Sequence, residues 1–536
     1  MRIRVFLPTG ALLSLVTVFA ANTASAQSLT LFPANRATHV NPDTHLVLTF
    51  PAAPTIGASG QIRIYDAAGH KLVDTLDMSI PAGPDPSRRI TAPPATPPAP
   101  PRQLDASIPT SPTTTTPAVR TIPADLHNYQ LVTIGGLEDF HFYPIIVHGN
   151  VATIYPHNHA LTYGHRYIVE IDAEVFPNSA FSGRKTWSFT TKPAAPAATS
   201  TRVTVSADGT GDFSTVQGAI DFVPDTPSHR VIIFVRNGNY EEIVFFRNKA
   251  DITIEGEDRD KVQIGYGNNS GFNPPMPGPS RRCAFSAYNS TGIILRTFSV
   301  TNYFYGQAEG LLVSGSRNIV DRVNITGSGD ALNLRGSVYL TDSRIIGDGD
   351  TILGVGPAFF NHCEIQSMGP FMWIRNTDAN HGNVFLNCTF IARDRRAVTP
   401  QTPSVSSSAL TSAQTAAPAA PPRSAAPQQA NAARPMGAVF ARLPMNHGLN
   451  YPYAEAVLIN CKLKGIPAAG WGPIDADPAH LHLWEFNSTD LNGDPIDISQ
   501  RHPDSKQLTQ PVDAKTIADY SNPAFVLGGW NPDVRQ

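Results

Sequence analysis

The sequence predicts an all-β chain in which a parallel β-helix follows a β-sandwich. Three observations carry that prediction. A short unit of alternating apolar and polar residues recurs in the C-terminal part at a constant step. The N-terminal part holds short runs of β-branched and aromatic residues separated by Gly and Asn/Asp turns. The repeated units are punctuated by Gly and show no helical apolar period, which disfavours a helical repeat. At 536 residues the chain is too long for one ordinary core, so two or more domains are expected, and 41% apolar content is enough to fill them.

The repeat is read from three segments: Ile319-Val320-Asp321-Arg322-Val323-Asn324-Ile325, then Tyr339-Leu340-Thr341-Asp342-Ser343-Arg344-Ile345, then Phe359-Phe360-Asn361-His362-Cys363-Glu364-Ile365. Val384-Phe385-Leu386-Asn387-Cys388-Thr389-Phe390 follows at a slightly longer step, and Val457 to Leu463 repeats the pattern further on. Each coil of such a fold stacks on the last and buries a continuous core, so parallel strands are expected through Val323, Ser343 and Cys363. The same register puts Cys363, Cys388 and Cys461 in one column. At a coil spacing of about 4.8 Å, neighbouring cysteines suit either a disulfide or a buried reduced column.

Residues 27–192 read as the β-sandwich, with strands expected at Leu46–Phe50, Gln61–Tyr65 and Thr186–Thr190. A Pro/Thr-rich stretch at about 81–125 interrupts it and is expected to be disordered. Residues 193–202 read as a linker, and the β-helix is expected over 203–536. An Ala/Pro/Ser/Gln-rich insertion at about 397–435 has no apolar pattern to form a coil and is expected to loop out. Proline, 48 residues in all, is enriched in these connecting stretches.

Arg2 and Arg4, an apolar stretch from Ala11 to Ala21 and the small residues Ala24-Ser25-Ala26 predict a signal peptide over 1–26, hence a secreted or periplasmic protein. No later run is apolar and long enough to span a membrane. A net charge of −3 argues against nucleic acid or an anionic membrane surface as partner. Four cysteines without a C-x-x-C pair argue against a disulfide scaffold or a zinc ribbon. His157, His159, His447, His480 and His482 lack metal-ligand spacing, so no metal site is predicted.

The repeat brings two carboxylates into register. Asp330 lies as far beyond Val323 as Asp350 lies beyond Ser343, and each directly follows a glycine. On adjacent coils they lie about 5 Å apart at the backbone. Two carboxylates so close cannot both ionise easily, which equips one as an acid and the other as a nucleophile. A pair of Gly-Asp turns, one in each coil, fits the same pattern without chemistry.

Further motifs favour chemistry. Asp208-Gly209-Thr210-Gly211-Asp212-Phe213 is followed by Ala219-Ile220; then come Gly238-Asn239-Tyr240-Glu241-Glu242, Gln307-Ala308, Asp330, Asp350 with Gly354, Arg442, and Gly470-Trp471. In this order the set resembles the pectin methylesterase family, covering about 203–500, with this chain similar to a divergent bacterial member. The resemblance implies a right-handed parallel β-helix and a monomeric carbohydrate esterase acting on methyl esters of homogalacturonan or a related polyuronide. It implies Asp350 as nucleophile, Asp330 as acid and then base, and Arg442 as the partner that orients Asp350. Gln307 corresponds to the start of the family's Q-A-V-A-L motif, and Gln307, Trp373, Met445 and Trp471 are the expected substrate contacts. The resemblance implies no metal or cofactor. Phe32-Pro33-Ala34-Asn35 and Trp187–Lys192 likewise resemble bacterial Ig-like domains; any small β-sandwich spacer fits the same residues.

The chain also departs from the family pattern. Gly329 stands where the family has Gln, and loss of one such oxyanion donor costs about 10²–10³ in rate. Thr351 and Leu353 replace Phe, and Arg442-Leu443-Pro444-Met445 lacks the Trp of the Arg-Pro-Trp triplet. These losses keep open a second reading, a catalytically weak β-helix that binds acidic polysaccharide. A lyase would need a calcium-binding carboxylate cluster, which the sequence does not suggest. Trp373, in register with Leu353, fits either the cleft or the core.

Overall fold

The computed structural model describes residues 28–84, 128–177, 179, 187–376, 379–394, 437–443, 451–475 and 478–535. The predicted signal peptide, nearly all of the first insertion, the whole of the second, and Met445 lie outside the described residues.

The C-terminal part is a parallel β-helix. Its coils pair strand on strand, in parallel, from Arg202–Val205 through Val231–Val235, Ile252–Gly256 and Ile294–Arg296 to Leu311–Asp321, Leu332–Thr341 and Ala358–Asn361. The ladder continues through Asn383–Leu386, Glu455–Ile459 and His482–Phe486. A second parallel sheet runs beside it from Gly238–Glu241 to Lys462–Lys464. Alternate side chains turn inward, so Leu311, Leu332, Ile352, Met372 and Ala441 bury in one column. Their neighbours Leu312, Asn333, Leu353, Trp373 and Arg442 form the outward column of the same face.

The structure refines the repeat in one respect. Val323, Ser343 and Cys363 do not lie within strands but in stacked corners. The strand before each corner ends, the next residue takes a left-handed backbone, and a new strand begins. Arg322, Asp342, His362, Asn387 and Asn460 all have positive φ, between 48° and 54°. Each corner amide donates to the coil above, as Arg322 N does to Thr341 O at 3.0 Å and Asn387 N to Ile459 O at 2.9 Å. Asn and Asp tolerate this conformation best, which accounts for three of the five residues. A tighter bend lies between faces at Gly315 and Gly336 (φ 115° and 113°). There a Cβ on Gly336 would sit 2.0 Å from Gly315 O, so no side chain fits.

Cys363, Cys388 and Cys461 form the predicted column inside the core, and all three are free thiols. The apolar neighbours that fill the coil interior leave them as small core residues.

The N-terminal part holds two sheets over one hydrophobic core. One runs in the order Thr30–Phe32, Leu46–Thr49, Val151–Ile154, Ile145–His148; the other joins Ala37–Val40, Trp187–Thr191, Arg166–Ile171, Gln61–Asp66 and Lys71–Asp77. This core extends into the β-helix through Ile243, Phe245, Tyr266 and Phe272. Polar contacts reinforce the junction: Asp43 accepts from the amides of Ser214 and Thr215 at 2.9 and 2.8 Å, and Arg281 pairs with Asp139 at 3.0 Å. Thus the Pro/Ala-rich stretch between the two parts joins docked bodies. At the far end, buried Glu455 accepts from His381, His482 and Tyr520, fixing the short helix Ala514–Tyr520 against the last coils. Among the described residues no helix is long and apolar enough to cross a membrane.

Strands on either side of the second insertion bond directly to each other. Asn383–Leu386 pairs with Glu455–Ile459, and Thr389–Ala392 with Lys462–Lys464. Deleting residues 397–435 and closing the gap with a short flexible linker should therefore leave the melting temperature within about 2–4 °C, the shift produced by about 1 kcal/mol. A larger fall on thermal melting would show that the segment buttresses the coils.

Candidate active site

Stacking places the two aspartates as the repeat predicts. Leu332 pairs with Ile352, so Asp330 and Asp350 occupy equivalent positions just before this pair on adjacent coils. Each is preceded by a glycine with positive φ, Gly329 at 67° and Gly349 at 156°, and Asp350 itself is left-handed at 46°. Both aspartates sit in the bend just before the strands that carry the outward column.

Arg442 comes from two coils further on. It pairs in register with Trp373, which pairs with Leu353. Its guanidinium grips Asp350 with both arms: Nε donates to Oδ1 at 2.7 Å and Nη2 donates to Oδ2. This bidentate geometry fixes the carboxylate plane. Hydrogen bonding to Asp350 also raises the Arg442 guanidinium above its ordinary range. Trp373 supports the arrangement, with the guanidinium carbon of Arg442 5.1 Å from the ring centroid and that of Arg375 5.2 Å. Both are within cation–π range.

Asp330 stands in a different environment. It is 9% exposed, and burial pushes its carboxyl up to about 7. Arg282 and Arg375 oppose that rise, while Glu309 and Asp350 add to it. Arg282 donates from Nη2 to Asp330 Oδ2 at 3.1 Å, and its Nε lies 2.7 Å from each oxygen of Glu309. Glu309 is fully buried. The site thus holds one carboxylate clamped by a guanidinium and one carboxyl that retains its proton near neutrality, with the two side by side. That is the equipment for nucleophilic attack followed by proton transfer.

The other predicted residues divide. Gln307 is exposed on a left-handed turn beside Gly329; a Cβ on Gly329 would lie 3.2 Å from Gln307 N. The backbone therefore brings Gln307 to the edge of the site. Trp373 is partly buried, packs against the core and faces the two arginines, so the cleft and core readings both describe part of it. Trp471 does not reach the site. It is 2% exposed and packs on Phe440 with ring centroids 5.1 Å apart. The expected substrate contact is corrected to a core residue: the adjacent Gly470 turn, whose carbonyl accepts from Phe440 N at 2.7 Å, directs the apolar ring inward. Among the described residues no group of three or more His, Cys, Asp or Glu is placed to hold a metal ion.

Sequence reasoning missed Arg282 and Glu309. A signal was present at Glu309. It is a lone carboxylate in the run Ala308-Glu309-Gly310-Leu311-Leu312-Val313, where the family motif has Val. A charge in so apolar a run, if buried, needs a partner. Arg282 stands on the preceding coil and could be paired with it only through the fold.

The pectinesterase family model matches residues 202–402, a span that includes Arg282, Glu309, Asp330 and Asp350. This part of the chain is similar to the pectinesterase family. Among relatives, "Probable pectinesterase 30" of Arabidopsis thaliana is 31% identical over 172 residues, covering 32% of this chain and 34% of that protein. Pectinesterase QRT1 of the same plant is 29% identical over 212 residues, covering 37% and 56%. The chain spans about a third of the length of the first curated relatives it matches. Solved structures similar to it include the pectin methylesterase from carrot (19% identity, TM-score 0.46, 61% of this chain and 93% of that one). PemA from Erwinia chrysanthemi is another (19%, 0.45, 62% and 98%). The matched span includes Gln307, Asp330 and Asp350, and Arg442 lies beyond it.

The raised Asp330 carboxyl has a thermodynamic consequence. In the unfolded chain it ionises near 3.8 and in the folded chain near 7. Between those values the folded state holds one more proton, so its contribution to stability is complete below about pH 4 and is lost as pH rises through about 7. The slope is about 1.4 kcal/mol per pH unit for a single proton. Asp330→Asn should remove that fall: the variant and the wild type should match near pH 4, and the variant should melt higher near pH 8. Parallel melting curves across this range would show that Asp330 is ionised throughout.

Proposed function

We propose that this chain hydrolyses methyl esters of pectin or of a closely related esterified polyuronide, with Asp350 as nucleophile and Asp330 as acid and then base. The observation that carries the reading is the contrast between the two neighbouring carboxyls. One is gripped bidentately by Arg442, and the other is buried and holds its proton near neutrality.

In this mechanism an Asp350 oxygen adds to the ester carbonyl carbon while Arg442 keeps the other oxygen oriented. The tetrahedral intermediate collapses, the bond to the methoxy oxygen breaks, and Asp330 gives that oxygen its proton, releasing methanol. Asp330, now a carboxylate, takes a proton from water. The hydroxide formed attacks the acyl carbon and displaces Asp350, leaving a uronic acid that gives its proton to solvent water. Asp330 is returned protonated, so the cycle closes without a cofactor. Gln307, at the lip beside Gly329, supplies a side-chain amide for the oxyanion or the sugar acid. The same reading takes the segment from Arg2 to Ala26 as an export signal. It takes the two-sheet module as an Ig-like companion of a monomeric exported enzyme.

A second reading, a module that binds acidic polysaccharide with little turnover, is favoured by Gly329. Its φ of 67° strains any side chain placed there, so the family's Gln has no direct substitute at this position.

Methanol release from methyl-esterified pectin separates the readings. The wild type should release methanol. Asp350→Asn should abolish release, Asp330→Asn should slow it by about 10²–10⁴, and Arg442→Ala should weaken it, all with unchanged circular dichroism. Turnover that survives Asp350→Asn would refute the assignment. Retention on a polygalacturonate column without turnover of any uronate ester would favour the binding module.

A further inference from the structure

The fully buried Glu309 has no role in the mechanism above, although a buried ion pair contributes little net stability. Arg282 reaches beyond Glu309, since its Nη2 is shared between Glu309 and Asp330. Burial works against its charge, yet Glu309 and Asp330 hold the guanidinium well above its ordinary range, so it stays cationic beside the proton donor.

The pair is held from behind by the backbone. Asn302 Nδ2 donates to Arg282 O at 3.1 Å and to Glu309 O at 2.9 Å, tying the two chain segments together. Ala284 N donates to Glu309 O at 3.0 Å, and Asn268 braces the same segment through Arg281 O at 2.6 Å and Cys283 O at 3.0 Å. Asn268 N in turn donates to Asn302 Oδ1 at 3.0 Å. Two buried asparagines thus set the position of Arg282 and Glu309 before any side-chain attraction acts.

The charges around Asp330 show why both members are needed. From the preceding coils it faces Arg282 and Glu309. From the following coils it faces Asp350 and Arg375, with Arg442 behind Asp350 and Asp348 bonded to nearby Ser328. An arginine alone at 3.1 Å would draw the proton off Asp330. A lone glutamate would leave the carboxyl unanchored and bury an unpaired charge. Together they supply a directional hydrogen bond with almost no net charge.

We propose that Arg282 and Glu309 act as a positioning pair: Arg282 orients the Asp330 carboxyl toward the cleft, and Glu309 cancels the arginine's charge so that Asp330 keeps a transferable proton. The inference rests on the reading of Asp330 as the proton donor. The pair lies on the segments that precede Gly329 in the stack and anchors Asp330 in a chain that has no Gln at that position.

The test reads the proton on Asp330 directly. Infrared spectra of the full chain are titrated with pH, and the protonated carboxyl band that disappears in Asp330→Asn identifies the group. Glu309→Gln leaves Arg282 uncancelled and should lower the Asp330 midpoint by about 1–3 pH units, the usual effect of one nearby charge. Arg282→Met should raise it. The double variant Arg282→Met/Glu309→Met replaces a buried pair by apolar side chains, a change that is often tolerated, and should return the midpoint close to the wild-type value. In methanol-release assays, kcat of Glu309→Gln should fall at pH 7 and recover toward acid pH, with KM little changed. An Asp330 midpoint unmoved in Glu309→Gln and in the double variant would overturn the proposal, as would loss of kcat by the same factor at every pH. If the wild type releases no methanol, the esterase reading fails, while the infrared midpoints still decide whether the pair governs the proton.

Discussion

Hydrogen bonding between successive coils is the constraint on which the rest of the molecule depends. Parallel strands lie about 4.8 Å apart and bond in strict register, so residues one coil apart in sequence become neighbours in space. The core forms as columns for this reason, with Leu311, Leu332, Ile352 and Met372 stacked in one of them. The same constraint stacks left-handed residues at each corner, since a coil that bent one residue early would turn its apolar side chains out to solvent. The candidate site follows from the same rule. Asp330 and Asp350, one coil apart in sequence, meet because their coils are stacked. Arg442 reaches Asp350 from much further along the chain because its strand continues the ladder.

Bringing like charges together is costly, and the surrounding residues show how the cost is contained. Arg442 takes the charge of Asp350 in two hydrogen bonds, and Trp373 holds Arg442 from its face. Asp330 is left as the carboxyl that burial keeps protonated. The division arises from environment alone, because the two residues are chemically identical and occupy equivalent positions in the repeat. What differs is the neighbour each coil supplies: a guanidinium reserved for Asp350, and a guanidinium shared with a buried glutamate for Asp330.

Much of this was legible in the sequence, for physical reasons that also mark the limit. A constant step with apolar alternation specifies both the stacking and its register, so the column of Cys363, Cys388 and Cys461 and the meeting of Asp330 with Asp350 could be read directly. Corners were harder. A left-handed residue leaves no apolar signature, so Val323, Ser343 and Cys363 looked like strand interior although each follows a bend. Trp471 misled for a related reason, since Gly-Trp fits an exposed turn or a buried ring equally well, and only the packing against Phe440 decides. Arg282 and Glu309 were invisible as a pair because a whole coil separates them, and neither belongs to the repeat that reveals the register.

The junction between the two parts bears on the site in a way that the linker sequence alone conceals. Arg281, the residue before Arg282, is buried against Asp139 of the N-terminal module, with Nε and Nη2 each 3.0 Å from a carboxylate oxygen. Asn273, bonded to Asn268 at 2.9 Å, also accepts from His141 N at 2.8 Å. The network that sets the backbone of Arg282 therefore continues into the neighbouring module through two separate contacts. Aromatic packing closes the same seam, with Tyr143 stacked on Phe272 at 4.6 Å. Rigid support of this kind matters for the proton donor proposed here, because a carboxyl that swings by an ångström would lose its line to a leaving group. The N-terminal module thus extends the shell that holds Asp330: from Asp139 to Arg281, along one peptide unit to Arg282, and across one hydrogen bond to the acid.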